Sequence, residues 1–206
     1  MSAERPGTAG YRENAGTLAD QYESVSFEQV HRDVLHLIPS APCCVLDIGA
    51  GSGRDAAALA ARGHMVVAAE PTRELREHGR MLHPSPRIVW MDDGLPDLAV
   101  VHARGERFGL IMMTAVWMHL DADERAEAMA RVAHLIEPGG KVIMSLRHGP
   151  VPAGRRMFDV SAAETIDLAR RSNLNAVYLH EREDMLGRVD VRWSFVVLES
   201  CPNVPL

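Results

Sequence analysis

Residues 45–56 read Val-Leu-Asp-Ile-Gly-Ala-Gly-Ser-Gly-Arg-Asp-Ala, and no other stretch of the 206-residue chain limits its fold so tightly. A short apolar run (Cys44, Val45, Leu46, Ile48) holds one acid, Asp47, and ends in Gly49, Gly51 and Gly53. An alanine-rich segment follows. This order predicts a buried strand, a tight turn and the first turn of a helix. Glycines serve where backbone turns with positive φ or where a ligand lies against bare N–H groups. A helix N-terminus aimed at the same place adds free donors and partial positive charge. The turn is therefore of the nucleotide-binding kind. Its spacing is G-x-G-x-G, and Arg54 stands where the dinucleotide fingerprint G-x-G-x-x-G has its third glycine. Asp47 would repel a pyrophosphate and suits a ligand that carries a cationic amino group.

On these residues VLDIGAGSG closely resembles motif I of the class I S-adenosylmethionine-dependent methyltransferases. The resemblance covers about residues 43–199. It implies a Rossmann-like α/β fold: a seven-stranded, mostly parallel sheet with helices on both faces and a C-terminal antiparallel strand pair. It implies S-adenosyl-L-methionine as cofactor, with S-adenosyl-L-homocysteine as product. Asp47, Gly49, Ala50, Gly51 and Gly53 would meet the methionine part, and Pro71 and Thr114 would lie alongside the cofactor. The run GSGRDAAALAARGH is also similar to small tellurite- or thiopurine-type methyltransferases.

The chain reads as one domain over 1–206, with 1–10 disordered, helices over 11–40 and the core over 43–199. From Asn14 two helices are expected. Ser26 and Gln29 form a capping-box pattern, and Phe27, Val30, Val34 and Ile38 share one face of a helix that should stop before Pro39. By resemblance this N-terminal part lids the cofactor. Tyr11 and Tyr22 are candidate lid residues, although Tyr22 equally suits packing of one helix on another. Asp55 to Arg62 reads as a helix closed by Gly63. Met65 to Ala69 reads as a buried strand ending in Glu70, about twenty residues beyond Gly49, the place of the acid that accepts ribose hydroxyls.

Thr72 to Met81 is the next helix and Arg87 to Met91 the third strand. WMDDGLP after it resembles the family segment whose acid takes the adenine amino group, which points to Asp92 first and Asp93 second; plain turn chemistry would also use Asp-Asp-Gly. Phe108 to Met113 is a fourth strand running into Thr114–Leu120. That loop resembles motif IV, which passes under the sulfonium and faces the acceptor, so Trp117 is placed with the substrate. Gly109 departs from the family, where Asp is frequent. Asp121 and Glu124 cap a helix to about Ile136, EPGGK turns into the fifth strand (Val142 to Leu146), and Ser161 with Glu164 opens a helix to about Asn173. Ala176–His180 and Val191–Glu199 read as the closing strand pair. Strands and helices alternate from 43 to 172, so a parallel doubly wound sheet follows from pattern alone.

Methyl transfer is an in-line displacement that mainly asks for alignment, with a base only where the acceptor loses a proton. His119 and His148 are the candidate bases; His64, His83 and His102 have no motif behind them. Arg147, Arg155 and Arg156 either clamp a carboxylate or phosphate on the acceptor or form a solvated loop. No large insertion separates the motifs, so the acceptor is a small molecule or is partly enclosed by a second subunit in a homodimer. No His or acid spacing suits a metal.

With 22 basic against 28 acidic residues the net charge is −6, which argues against electrostatic nucleic-acid binding. Cys43, Cys44 and Cys201 have no metal or redox spacing. There is no leader-like apolar segment and no apolar run near 18 residues, so a cytoplasmic protein without membrane spans is expected. Two further readings stay open: an NAD(P)-dependent oxidoreductase, and a cofactor-binding domain without catalysis that acts through a partner.

Overall fold

The structure is a computed structural model that describes residue 8 and residues 10–201; most of the segment expected to be disordered, 1–7 and 9, lies outside the described residues. Seven strands form one sheet: β1 (Cys44–Ile48), β2 (Met65–Ala69), β3 (Ile88–Met91), β4 (Phe108–Thr114), β5 (Ile136–His148), β6 (Leu174–Glu183) and β7 (Arg192–Ser200). Their spatial order is β3-β2-β1-β4-β5-β7-β6. β1 to β5 pair in parallel, and β7 runs antiparallel between β5 and β6. The fold is thus the Rossmann-like sheet that the motif pattern predicts.

The helices are α1 (Ala15–Glu23), α2 (Phe27–His31), α3 (Arg54–Ala61), α4 (Arg73–Leu82), α5 (Ala99–Ala103), α6 (Ala122–Leu135) and α7 (Ala162–Arg171). Alternation along β1 divides the core between the two faces of the sheet. Leu46 and Ile48 pack with Met129 and Val132 of α6 and Ala169 of α7. Val45 packs with Ala56 and Leu59 of α3, over Phe27 and Val34. No helix among the described residues is long and apolar enough to cross a membrane.

Some local expectations are corrected. The capping box of Ser26 and Gln29 forms in both directions. The α-helix it opens nevertheless ends at His31, not before Pro39, and Leu35–Leu37 continue only as a 3-10 turn. Arg182 from β6 donates to the carbonyls of Val30 (2.6 Å) and Gln29 (3.5 Å), which further helical turns would have used, and Val34 N–H turns back to His31. The Glu-Pro-Gly-Gly turn lies within β5 as a bulge: Phe108 pairs with Ile136 but Leu110 with Lys141. At the head of α7 Ser161 caps Glu164 N–H, while the Glu164 carboxylate is drawn away to Arg125 at 2.7 Å. Helix α5 had no clear signal. Gly109 is explained by packing, since a Cβ there would press on Cys43 Cβ at 3.2 Å.

Candidate active site

β2 and β4 leave the two sides of β1 in opposite directions, so a crevice opens beyond the carboxyl ends of these strands. It holds a cavity of about 790 Å³, within the range of small-molecule sites. One end is walled by the glycine turn, Glu70, Pro71 and Leu75, and the other by His119, Ser145, Arg147 and Arg155. Tyr11, Leu18 and Tyr22 of the N-terminal segment also reach its wall.

The glycine turn is tied to the sheet, with the N–H groups of Gly49 and Ala50 both donating to the Ala69 carbonyl at 2.7 and 3.1 Å. Gly49 has φ +69°, and a Cβ on it would sit 2.5 Å from a methyl of Val116. Glycine is required there both by the turn and by the loop after β4. Ala115 in that loop also has positive φ (+59°), held by donation from its N–H to Ser145 Oγ at 2.9 Å. Left-handed backbone at a non-glycine residue is a form of strain that collects at functional sites.

Three acids are buried beside the turn. Asp55 is compensated: it meets His31 Nε2 at 2.8 Å, Arg54 Nε at 2.8 Å and Thr114 Oγ1 at 2.7 Å. Burial alone would raise its carboxyl, but His31 and Arg54 outweigh burial and hold it well below the usual range. Asp47 differs. It takes one backbone N–H from Ala56, and its buried Oδ2 has no hydrogen-bond partner. Burial, and then the charge of Asp55, push its carboxyl well above the usual range. A buried carboxylate oxygen with no partner on a cavity wall calls for a cation. Glu70 is also raised by burial, and it accepts the N–H groups of Gly51 (2.9 Å) and Thr72 (2.7 Å). A carboxylate has about four lone-pair sites, so two remain for hydroxyl donors.

At the other end Tyr11 Oη lies 2.9 Å from His119 Nε2, and His119 Nδ1 lies 2.8 Å from the Arg156 carbonyl. A carbonyl only accepts, so Nδ1 carries the proton and Nε2 receives the Tyr11 hydroxyl. Burial pushes the imidazole below its ordinary range, which keeps it neutral. Tyr22 lies next to Tyr11, and burial raises both phenols.

Of the residues singled out from sequence, Asp47, Gly49, Ala50, Gly51, Glu70, Pro71, Thr114, Tyr11, Tyr22, His119, Arg147 and Arg155 line the cavity. Five do not. Trp117 is wholly buried in the core, because the 3-10 turn Trp117–His119 directs the large indole inward and His119 to the cavity. His148 follows cavity-facing Arg147 on β5, so alternation turns it away, to Ser194 Oγ at 2.7 Å. Gly53 serves packing, since a Cβ there would meet Trp90 at 2.7 Å. Asp92 is 57% exposed and pairs with Arg76 at 3.0 Å. Asp93 is buried and accepts the N–H groups of Gly94 and Val101, satisfying backbone donors of the turn. Gly94–Asp97 line the cavity in their place.

Sequence reasoning missed the His31–Asp55–Thr114 cluster and the segment Arg182–Arg188. Asp55, two residues after Gly53, was a readable sign of the first; the alternating charges of residues 181–183 were a weak sign of the second.

A doubly wound sheet whose switch point carries a glycine turn and buried acids defines a nucleotide-type cofactor fold. The methyltransferase-domain family matches residues 45–140. A relative described as an uncharacterized methyltransferase, from Oceanobacillus iheyensis, is 26% identical over 160 residues, 76% of this chain and 68% of its own length. Among solved structures, magnesium protoporphyrin IX methyltransferase of Synechocystis with bound S-adenosylmethionine has a TM-score of 0.70 at 16% identity, covering 97% of this chain and 99% of that one. The 1,6-didemethyltoxoflavin-N1-methyltransferase of Burkholderia thailandensis, with bound 1,6-didemethyltoxoflavin and S-adenosylhomocysteine, has a TM-score of 0.63 at 20% identity, covering 98% and 92%. The chain thus carries a methyltransferase-domain match over residues 45–140 and shares the fold of these methyltransferase structures.

Proposed function

We propose that the chain is an S-adenosylmethionine-dependent methyltransferase that acts on a small-molecule acceptor, with the cofactor at the glycine-turn end of the cavity and the acceptor at the His119 end. The observation that carries the arrangement is the buried, unpartnered Oδ2 of Asp47 on the cavity wall. The amino group of the methionine part is the cation it lacks. The Gly49–Gly51 turn lies against the same part, the free lone pairs of Glu70 take the ribose hydroxyls, and the adenine lies by Leu75 and the Gly94–Asp97 loop. A cavity of about 790 Å³ supports a small acceptor, as does the 1,6-didemethyltoxoflavin named with the Burkholderia structure.

Bound there, the cofactor supplies a methyl group already activated on a sulfonium. The chain's own residues hold the acceptor in line and exclude water. For an acceptor that must lose a proton, Tyr11 Oη takes it while the Tyr11 proton passes to His119 Nε2, which is free of a proton in the observed tautomer. Glu70→Ala is expected to weaken S-adenosylhomocysteine binding by about 1.5–3 kcal/mol, the scale of charge-assisted hydrogen bonds; parental affinity in calorimetry would remove the ribose assignment.

The test of the whole reading is calorimetric titration with S-adenosylhomocysteine and, separately, NADH, followed by a screen of small acceptors with labelled methyl groups. Binding of the first and transfer to a small molecule are expected. Binding of NADH alone, or transfer only to protein or nucleic acid, overturns the reading. For an acceptor that loses a proton, His119→Gln is expected to lower kcat by about 10²–10⁴ with cofactor affinity unchanged. Because burial lowers the His119 pKa, the neutral base persists as pH falls through about 6.5. The acid limb of kcat/KM should therefore lie below that pH, and a limb at or above it counts against His119.

A further inference from the structure

Five arginines line the cavity at its acceptor end: Arg147, Arg155, Arg156, Arg182 and Arg188. Three are neutralised within the protein. Arg156 meets Asp121 (3.0 Å) and Glu124 (2.8 Å), Arg182 meets Asp33 (2.9 Å), and Arg188 meets Asp184 (2.6 Å). Among the described residues, no carboxylate pairs with Arg147 or Arg155. Arg147 has only a long contact with the Gly149 carbonyl, 3.4 Å. Arg155 Cζ lies over the Tyr11 ring, 3.7 Å from its centre, and its buried Nη1 has no hydrogen-bond partner.

The acids at this end are engaged with other arginines. Glu124 shares Arg156 with Asp121, Asp184 is held by Arg188, and Glu127 by Arg131 at 3.7 Å. A chain of net charge −6 thus keeps a local positive excess at this end of the cavity, where five arginines meet the four partner acids Asp33, Asp121, Glu124 and Asp184. A buried guanidinium N–H with no partner is destabilising unless a ligand completes it. Between the arginines the wall is apolar, with Met157, Met185, Trp193 and Phe195.

We propose that the acceptor is an organic anion, a flat apolar body bearing a carboxylate or phosphate, and that Arg155, with Arg147 as second donor, takes its charge. Its position over the Tyr11 ring puts the Arg155 guanidinium beside the Tyr11–His119 pair, so the charged group lies near the atom to be methylated. Arg155 is thereby a specificity residue. The inference rests on the proposed acceptor end of the cavity.

The test titrates protein saturated with S-adenosylhomocysteine against matched aromatic probes: benzoate and 1-naphthoate with their amides, and phenyl phosphate with phenol. At least one anion should bind tenfold or more tightly than its neutral counterpart, and the favoured pair tells carboxylate from phosphate. Arg155→Met should abolish that preference while S-adenosylhomocysteine affinity stays within about twofold, which shows the variant folded. Arg155→Lys should keep part of it. Neutral probes binding as well as the anions, no anion binding at all, or a preference that survives Arg155→Met overturns the proposal. The same pairs are titrated without S-adenosylhomocysteine. Failure of the cofactor to bind with the anion preference intact would sink the methyl-transfer reading alone.

Discussion

Asp47→Asn is expected to make the ligand-free protein more stable and its cofactor binding much weaker. In the parent, Asp47 is buried with one oxygen unpartnered, next to the charges of Asp55 and Glu70. Its folded pKa lies above the unfolded value, so the folded state binds more protons and stability falls as pH rises through the folded pKa. Asparagine keeps the shape and the acceptor for Ala56 N–H but removes the charge. A gain of about 1–3 kcal/mol near neutral pH follows from removing an uncompensated buried charge. For a chain of this size that is about 2–4 °C in Tm per kcal/mol. The variant should also lose the decline in stability that the parent shows with rising pH. Binding of S-adenosylhomocysteine should weaken by about 10- to 150-fold, the value of a charge-assisted hydrogen bond. Thermal unfolding across pH, with and without the ligand, reads both effects. A variant that is less stable than the parent and still binds the ligand would refute the assignment.

Gly49→Ala should be the most damaging single methyl in the glycine turn. At φ +69° an L-residue adopts left-handed backbone at about 1–2 kcal/mol. The new Cβ would also lie 2.5 Å from a Val116 methyl, an overpacking worth about 1–3 kcal/mol. The two contributions separate in a double mutant. Val116→Ala removes the methyls, so Gly49→Ala in that background should lose only the backbone part. Equal losses in both backgrounds, measured by denaturant unfolding, would show that the contact with Val116 is not the cause. A large loss restored by Val116→Ala would show that the loops after β1 and β4 are packed on each other at the bottom of the cavity.

Local pattern carries far in this chain. The strand–turn–helix at 44–61, Glu70 at the end of β2 and both full capping boxes are legible because each depends on neighbours a few residues away. The parallel, doubly wound arrangement is legible too, because strands alternating with helices leave few alternatives. The misreadings share one physical cause. Trp117 and His119 are two residues apart, as are Gly51 and Gly53, and only packing decides which of each pair turns to the core. Asp92 and Asp93 are equivalent in sequence, yet one reaches Arg76 and the other the backbone of its own turn. Helix α2 is cut short by Arg182, about 150 residues further on.

The arginines make the same point most sharply. Sequence shows five guanidinium groups and cannot show which have carboxylates beside them. Asp33, Asp121 and Asp184 neutralise three through contacts that exist only in the folded chain, leaving Arg147 and Arg155. The sequence by itself determined the sheet and the glycine turn, because periodicity and turn chemistry are properties of short segments. Tertiary structure alone decided which acids and which cations stay unpaired in the cavity, because pairing is a matter of distance between residues remote along the chain.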